Sequence, residues 1–187
     1  MIVIEIRQYQ AKDLPYVEEI CSPPGSPMRD ALLRCFCHYY VEREPENCFV
    51  CEVDGIVCGY IVCAENFEKW EAEMQRTYMI DDPVCAAIGS ATIENLRPFA
   101  EEYPSHLHID FAPEAQGKGL GTRLLQHLIS HLKEKSVSGI VLDVAADNLG
   151  AQRFYARNGF AVLNADANSM RMGIPLASYK KQALAMK

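Results

Sequence analysis

Pro113-Glu-Ala-Gln-Gly-Lys-Gly-Leu-Gly121 is the stretch on which the fold turns. Before it, Leu107, Ile109 and Phe111 alternate with His106, His108 and Asp110, the period of a half-buried strand. After it, Leu124, Leu125, Leu128, Ile129 and Leu132 form the apolar stripe of an amphipathic helix. Strand, glycine turn and helix together make an anion-binding arrangement. The glycines let the backbone pass close to a ligand, and successive N–H groups can point into one concavity. The first helical turn adds free N–H groups and the positive end of a dipole. Lys118 adds a cation nearby, and a diphosphate is the natural guest. A P-loop needs GxxxxGK[ST] and a dinucleotide fingerprint needs GxGxxG, whereas Gly117, Gly119 and Gly121 are spaced GxGxG and satisfy neither.

Working outward, residues 2–9 alternate as a strand, and Asp13 opens a helix with Leu14, Val17 and Ile20 at core spacing. Residues 22–27 read as a loop. Residues 28–44 read as a second helix carrying Leu32, Leu33, Phe36 and Tyr40 on one face. Asp54-Gly55 joins two β-rich runs, 48–53 and 56–64, into a hairpin. Segment 65–104 is long for a connector and helical around 67–78 and 90–102; it is expected to shape a binding surface or to be a packing insertion. Beyond the central helix come a buried strand at 139–145 and a short helix from Leu149 stopped by Asn158-Gly159. Closing strands are expected at 160–163 and 170–174, with a frayed tail from Ser178. The pattern predicts an α/β class with a mixed sheet, and a single domain over 1–187.

The chain's 187 residues can bury one substantial core, and 49% hydrophobic with 23% charged residues is ordinary for a soluble protein. The start, Met1-Ile-Val-Ile-Glu5, lacks the basic and apolar regions of a secretory signal, and no apolar run is long enough to span a bilayer. A cytoplasmic protein without membrane attachment is therefore expected. A net charge of −7 argues against nucleic acid as a partner. The eight cysteines, Cys21, Cys35, Cys37, Cys48, Cys51, Cys58, Cys63 and Cys85, all fall in the first half of the chain. Cys48-Phe-Val-Cys51 has zinc half-site spacing but sits in a strand-like run with no compact second pair. Reduced, mostly buried thiols and no metal are expected.

Two motifs carry a specific resemblance. Gln116-Gly-Lys-Gly-Leu-Gly121 resembles the Q/R-x-x-G-x-G/A signature of GNAT acetyltransferases. Asn148-Leu-Gly-Ala151-Gln-Arg-Phe154-Tyr155-Ala-Arg-Asn-Gly159-Phe160 is similar to that family's N-x-x-A-x-x-F/Y-Y-x-x-x-G-F signature. They occur in the family's order, and Ile4-Glu-Ile-Arg7 with Lys12-Asp-Leu-Pro15 looks like its first strand and helix. More narrowly, Tyr103-Pro-Ser-His-Leu-His-Ile-Asp110 followed by Pro113-Glu resembles bacterial acetyltransferases related to the acetyltransferase-like domain of O-GlcNAcase.

The resemblance implies a GNAT fold: a mixed sheet of six to seven strands flanked by helices and splayed between the fourth and fifth. It implies acetyl-CoA in that splay, its pyrophosphate on amides from Gln116, Gly117, Lys118, Gly119, Leu120, Gly121 and Thr122. Backbone at Ile109 and Phe111 would meet the pantetheine and polarise the thioester, and Asn148 would touch the pantetheine or thiol end. The partner would be a primary amine, whether a small amine, an aminosugar, a peptide or a protein, and a homodimer fits the family's habits. A lysine-like amine is about 10⁻³ to 10⁻⁴ deprotonated at neutral pH, so a base is useful, and Asp110 and His108 are the candidates. Tyr155 is the expected acid for the departing thiolate, with Phe154 in the core. A non-catalytic acyl-CoA-binding domain is the competing expectation.

Overall fold

The structure is a computed structural model that describes residues 2–179. Beyond Tyr179, the tail expected to fray lies outside the described residues. Seven strands form one mixed sheet: β1 Ile4–Gln8, β2 Phe49–Val53, β3 Ile56–Ala64, β4 Ser105–Phe111, β5 Gly139–Ala145, β6 Ala161–Ala165 and β7 Ser169–Pro175. Their order is β1-β2-β3-β4-β5-β7-β6. Every neighbouring pair is antiparallel except β4 and β5, which run parallel. A parallel pair needs a crossover, and here the glycine turn and α6 (Leu120–Glu134) supply it.

One face of the sheet carries α1 (Leu14–Cys21), α2 (Arg29–Leu33), α3 (Tyr39–Arg43), α4 (Phe67–Glu73) and α5 (Pro83–Leu96). A π turn, Arg34–His38, joins α2 to α3 in one rod, and a second, Met74–Tyr78, extends α4. Their core holds Tyr39, Tyr40, Trp70 and Met74, all at most 1% exposed. The opposite face is covered by α6 and α7 (Leu149–Arg157), where the predicted stripe of Leu124, Leu125, Leu128, Ile129 and Leu132 is completely buried.

Several expectations shift. The helix predicted at 90–102 starts seven residues earlier, at Pro83, because Asp82 caps it by accepting from the Val84 and Cys85 amides at 2.9 Å each. It ends at Leu96, followed by the 3₁₀ turn Arg97–Phe99. Phe160 is a core residue before β6 rather than its first residue. The hairpin turns as its Asp-Gly pair requires, with φ of +50° at Asp54 and +85° at Gly55. Among the described residues no helix is long and apolar enough to cross a membrane.

The edge strand β1 is tied down by charge. Arg7 makes two bonds to the Asp13 carboxylate, at 2.7 and 2.9 Å, and two to Glu52 Oε2 on β2, at 3.0 and 2.7 Å. Asp13 is 2% exposed and also accepts from the Gln10 amide at 2.9 Å. Burial pushes its carboxyl pKa up, but the Arg7 bonds and the Gln10 amide outweigh that and hold it below the usual value. A depressed carboxylate stabilises the folded state above its unfolded pKa near 4, and that stability disappears as pH falls through the folded value. We expect Asp13→Asn to cost about 3 kcal/mol at neutral pH. Denaturant unfolding of both proteins should show the gap narrowing as pH is lowered below about 4; a pH-independent gap would refute the ionic origin.

Candidate active site

The site begins where β4 and β5 part. They pair only at Ser105↔Ile140 and His106↔Val141. Ser105 secures that end by donating to the Gly139 carbonyl at 2.8 Å. From Leu107 onward β4 stays paired with β3 but no longer with β5. The Ala112 amide donates to the Cys58 carbonyl at 2.9 Å, and antiparallel alternation then turns the backbone groups of Asp110 and His108 toward β3. Those of Ile109 and Phe111 face the opening. Here the Phe111 amide donates to its neighbour's Asp110 Oδ1 at 2.7 Å, and the Phe111 carbonyl accepts from Gln116 Nε2 at 2.9 Å. Gln116 thus uses its side chain to lash the glycine turn to the end of β4.

After a 3₁₀ turn at Pro113–Ala115, Gly117 and Gly119 take φ of +73° and +76°. No atom lies within 4 Å of where a Cβ would stand on either, so the conformation, not crowding, calls for glycine. Gly119 is the N-cap of α6 and offers no side-chain cap. The first intrahelical bond runs from the Arg123 amide to the Gly119 carbonyl, which leaves the Leu120, Gly121 and Thr122 amides for a ligand. The turn and the opening form one cleft of about 720 Å³.

Most of the sequence-predicted residues meet there. Ile109, Asp110, Phe111, Gln116, Gly117, Gly119, Leu120, Gly121, Thr122, Asn148 and Tyr155 line the cleft. Lys118 does not, and the cation in the lining is Arg157 instead. Asn148 Oδ1 caps α7 by accepting from the Ala151 amide at 3.0 Å, so its Nδ2 is the atom left for a ligand. Phe154, expected in the core, is half-buried on the cleft wall; its ring would stand 3.1 Å from a Cβ on Gly121. Arg157 carried no signal of its own, and Phe154, though part of the second motif, gave no sign that its ring would face the cleft.

The acid–base candidates separate clearly. Tyr155 is 7% exposed, and burial raises its phenol, with the Asp110 charge adding to the shift, so it stays protonated. Asp110 is the one carboxylate among the described lining residues. Desolvation raises its pKa, opposed by the Phe111 amide. His108 shares its strand face but lies outside the lining; its ring packs 4.5 Å from Phe36 and 5.6 Å from Tyr40. Burial lowers it to about 4, so it is neutral and weakly basic. His106 lies deeper, 4.4 Å from the Trp70 ring and bonded to the Tyr40 hydroxyl at 3.0 Å, with its pKa lowered to about 3 by burial and then by His108. Both sit behind helices that cover the strand's polar face. No group of three or more potential ligands stands close enough to hold a metal ion among the described residues, and seven of the eight thiols are buried.

Comparison with known proteins gives these features a setting. The profile of the acetyltransferase (GNAT) family matches residues 8–160. An uncharacterized N-acetyltransferase of Methanocaldococcus jannaschii is 27% identical over 127 residues, which span 68% of this chain and 44% of that protein. The chain thus matches less than half the length of that relative. The crystal structure of SsHAT superposes with a TM-score of 0.82 at 25% identity, covering 94% of this chain and 99% of that one. An N-acetyltransferase from Thermoplasma acidophilum, PaiA, solved in complex with coenzyme A, shares the fold with a TM-score of 0.60 at 17% identity, over 92% and 99% of the chains.

Gly119→Val places a β-branched residue at positive φ, a strain of roughly 1–2 kcal/mol, in a position with no neighbour to clash with. The fold should survive with a modest loss of melting temperature, while calorimetry should find coenzyme A bound at least about tenfold more weakly. Unchanged affinity would remove the turn from the ligand site.

Proposed function

Because this chain belongs to the GNAT acetyltransferase family, we propose that it binds acetyl-CoA in the β4–β5 cleft and transfers the acetyl group to a primary amine. One observation carries the proposal: open backbone amides and a buried, protonated tyrosine share a cleft with a single carboxylate. Family membership and the coenzyme A held by the Thermoplasma neighbour support the choice of cofactor.

In this reading the pyrophosphate takes the amides at the start of α6, with Gly117 and Gly119 letting it approach the backbone. The pantetheine runs along the free edge of β4 and pairs with Ile109. The thioester carbonyl takes a fixed amide at the end of that edge, where Phe111 N–H now holds Asp110. Displaced from that amide, the Asp110 carboxylate faces the acceptor ammonium, takes one proton from it and passes that proton to solvent; as the free amine nitrogen then bonds to the acetyl carbon, Asp110 accepts the second. As the C–S bond breaks, Tyr155 gives its proton to the leaving thiolate, a transfer from phenol to thiol that requires the phenol to be protonated beforehand. The Asp110 proton then restores Tyr155. His108 plays no part in this scheme, because it neither lines the cleft nor carries useful basicity.

A panel of small amines, aminosugars and peptides, read by release of the coenzyme thiol, tests the proposal; binding of acetyl-CoA without turnover on any of them would overturn it. Tyr155→Phe should lower kcat by about 10²–10³ and leave KM for acetyl-CoA nearly unchanged. Asp110→Asn should lower kcat/KM for the amine by about 10² at neutral pH. Without its base the variant depends on pre-formed free amine, so its rate should climb about tenfold per pH unit toward the amine's pKa, and the deficit should shrink. A pH-independent deficit would assign Asp110 to another role.

A further inference from the structure

The helical rod α2–α3 and the 65–104 segment meet at a pair of thiols outside the cleft. Cys35 Sγ, in the π turn of the rod, stands 3.2 Å from Cys85 Sγ in the first turn of α5, and 3.6 Å from the Cys85 carbonyl oxygen. Both residues are at most 3% exposed, and both are free thiols. Two sulfurs in contact are brought to a bonding separation of about 2.05 Å by a small change of side-chain rotation. We propose that Cys35 and Cys85 are a modification site: a reversible disulfide, formed by exchange with low-molecular-weight disulfides, that ties α5 to the α2–α3 rod.

The two sulfurs have different roles. Burial raises both thiols, but with Cys35 as donor their hydrogen bond lowers Cys85 and raises Cys35. Cys85 also stands in the first turn of a 14-residue helix, where the dipole favours a thiolate. Cys85 is therefore the attacking sulfur. Its neighbours Ile80 and Val84 are 65% and 41% exposed, so opening the first turn of α5 bares it to a small reagent. The Cys85 thiolate bonds to one sulfur of the small disulfide and expels the first small thiolate, which takes up the proton Cys85 released. Cys35, on losing its own proton, then attacks Cys85 Sγ and expels the second small thiolate, which takes up that proton. Two electrons pass from the pair to the small disulfide, so two protein thiols and one small disulfide become one protein disulfide and two small thiols.

The bond braces both lips of the cleft. Cys35 precedes Phe36, whose ring packs on His108 of β4, two residues before Asp110. Helix α5 reaches the other lip through Asn95, which donates to Asp143 Oδ2 of β5 at 2.7 Å. The effect falls on the acceptor side of the opening, and this part of the proposal rests on the acetyl-transfer reading.

The test equilibrates the full chain with oxidised glutathione. Intact mass should fall by two hydrogens, and a non-reducing peptide map should join Cys35 to Cys85. The melting temperature should rise by about 5 °C or more, and dithiothreitol should reverse all of these changes. Cys35→Ala and Cys85→Ala, checked for folding by their melts in reductant, should each abolish the response. In the amine assay, oxidation should shift KM for the amine about fivefold and leave coenzyme A affinity alone. A protein that keeps its eight thiols, or joins a different pair, overturns the proposal. Absence of transfer activity in the reduced protein, with the mass and melting results intact, would instead indict the acetyl-transfer reading.

Discussion

A strand that parts from its neighbour leaves backbone N–H and C=O groups that must find other partners. That constraint organises this molecule. β4 pairs with β5 over two residues and then leaves it, so Ile109 and Phe111 turn their groups into a gap. Phe111 is satisfied from within, by Asp110 on one side and Gln116 on the other. Ile109 is left for whatever enters. The parallel pairing that creates the gap also requires a crossover, and the crossover helix starts at its mouth. Strand divergence and helix start are two consequences of one topology, and together they give a cleft lined by the glycine turn, a carboxylate and a buried phenol.

The polar face of β4 shows how position along one strand separates roles. His106, His108 and Asp110 alternate identically in sequence, yet only Asp110 reaches the cleft. His106 is closed over by Trp70 and Tyr40, and His108 by Phe36 and Tyr40. Desolvation then leaves both imidazoles neutral. The helices that cover them belong to the rod and to the 65–104 segment, so those elements decide which of the three groups reaches the cleft.

Much of this was legible in the residues, because it depends on short-range chemistry. The glycine turn, the α6 stripe and the Asp-Gly hairpin announce themselves through local conformation or periodicity, and the residues around Tyr155 through their resemblance to a family signature. The start of α5 stands in the residues too, as Asp82 and Pro83, an N-cap followed by a proline at the first helical position. What could not be read depends on packing between distant segments: the rings that close over His106 and His108, the Phe154 wall against Gly121, and the arrival of Arg157 in place of Lys118. The two π turns also left no periodic trace, since a single extra residue in a helix shifts its face without interrupting the pattern.

Helix α6 buries the largest apolar stripe in the sheet's second layer, yet the residue at its start provides no cap. In most helices a side chain closes that end; here a ligand bound at the turn would be the cap. Occupancy and folding are therefore linked quantities, and a ligand at a hundred times its dissociation constant adds about 2.7 kcal/mol to the folded state. The protein's resistance to unfolding, and with it its lifetime against proteolysis, then tracks the supply of that ligand. If the three amides there take a diphosphate, as proposed, the fold becomes a gauge of how much of it is present.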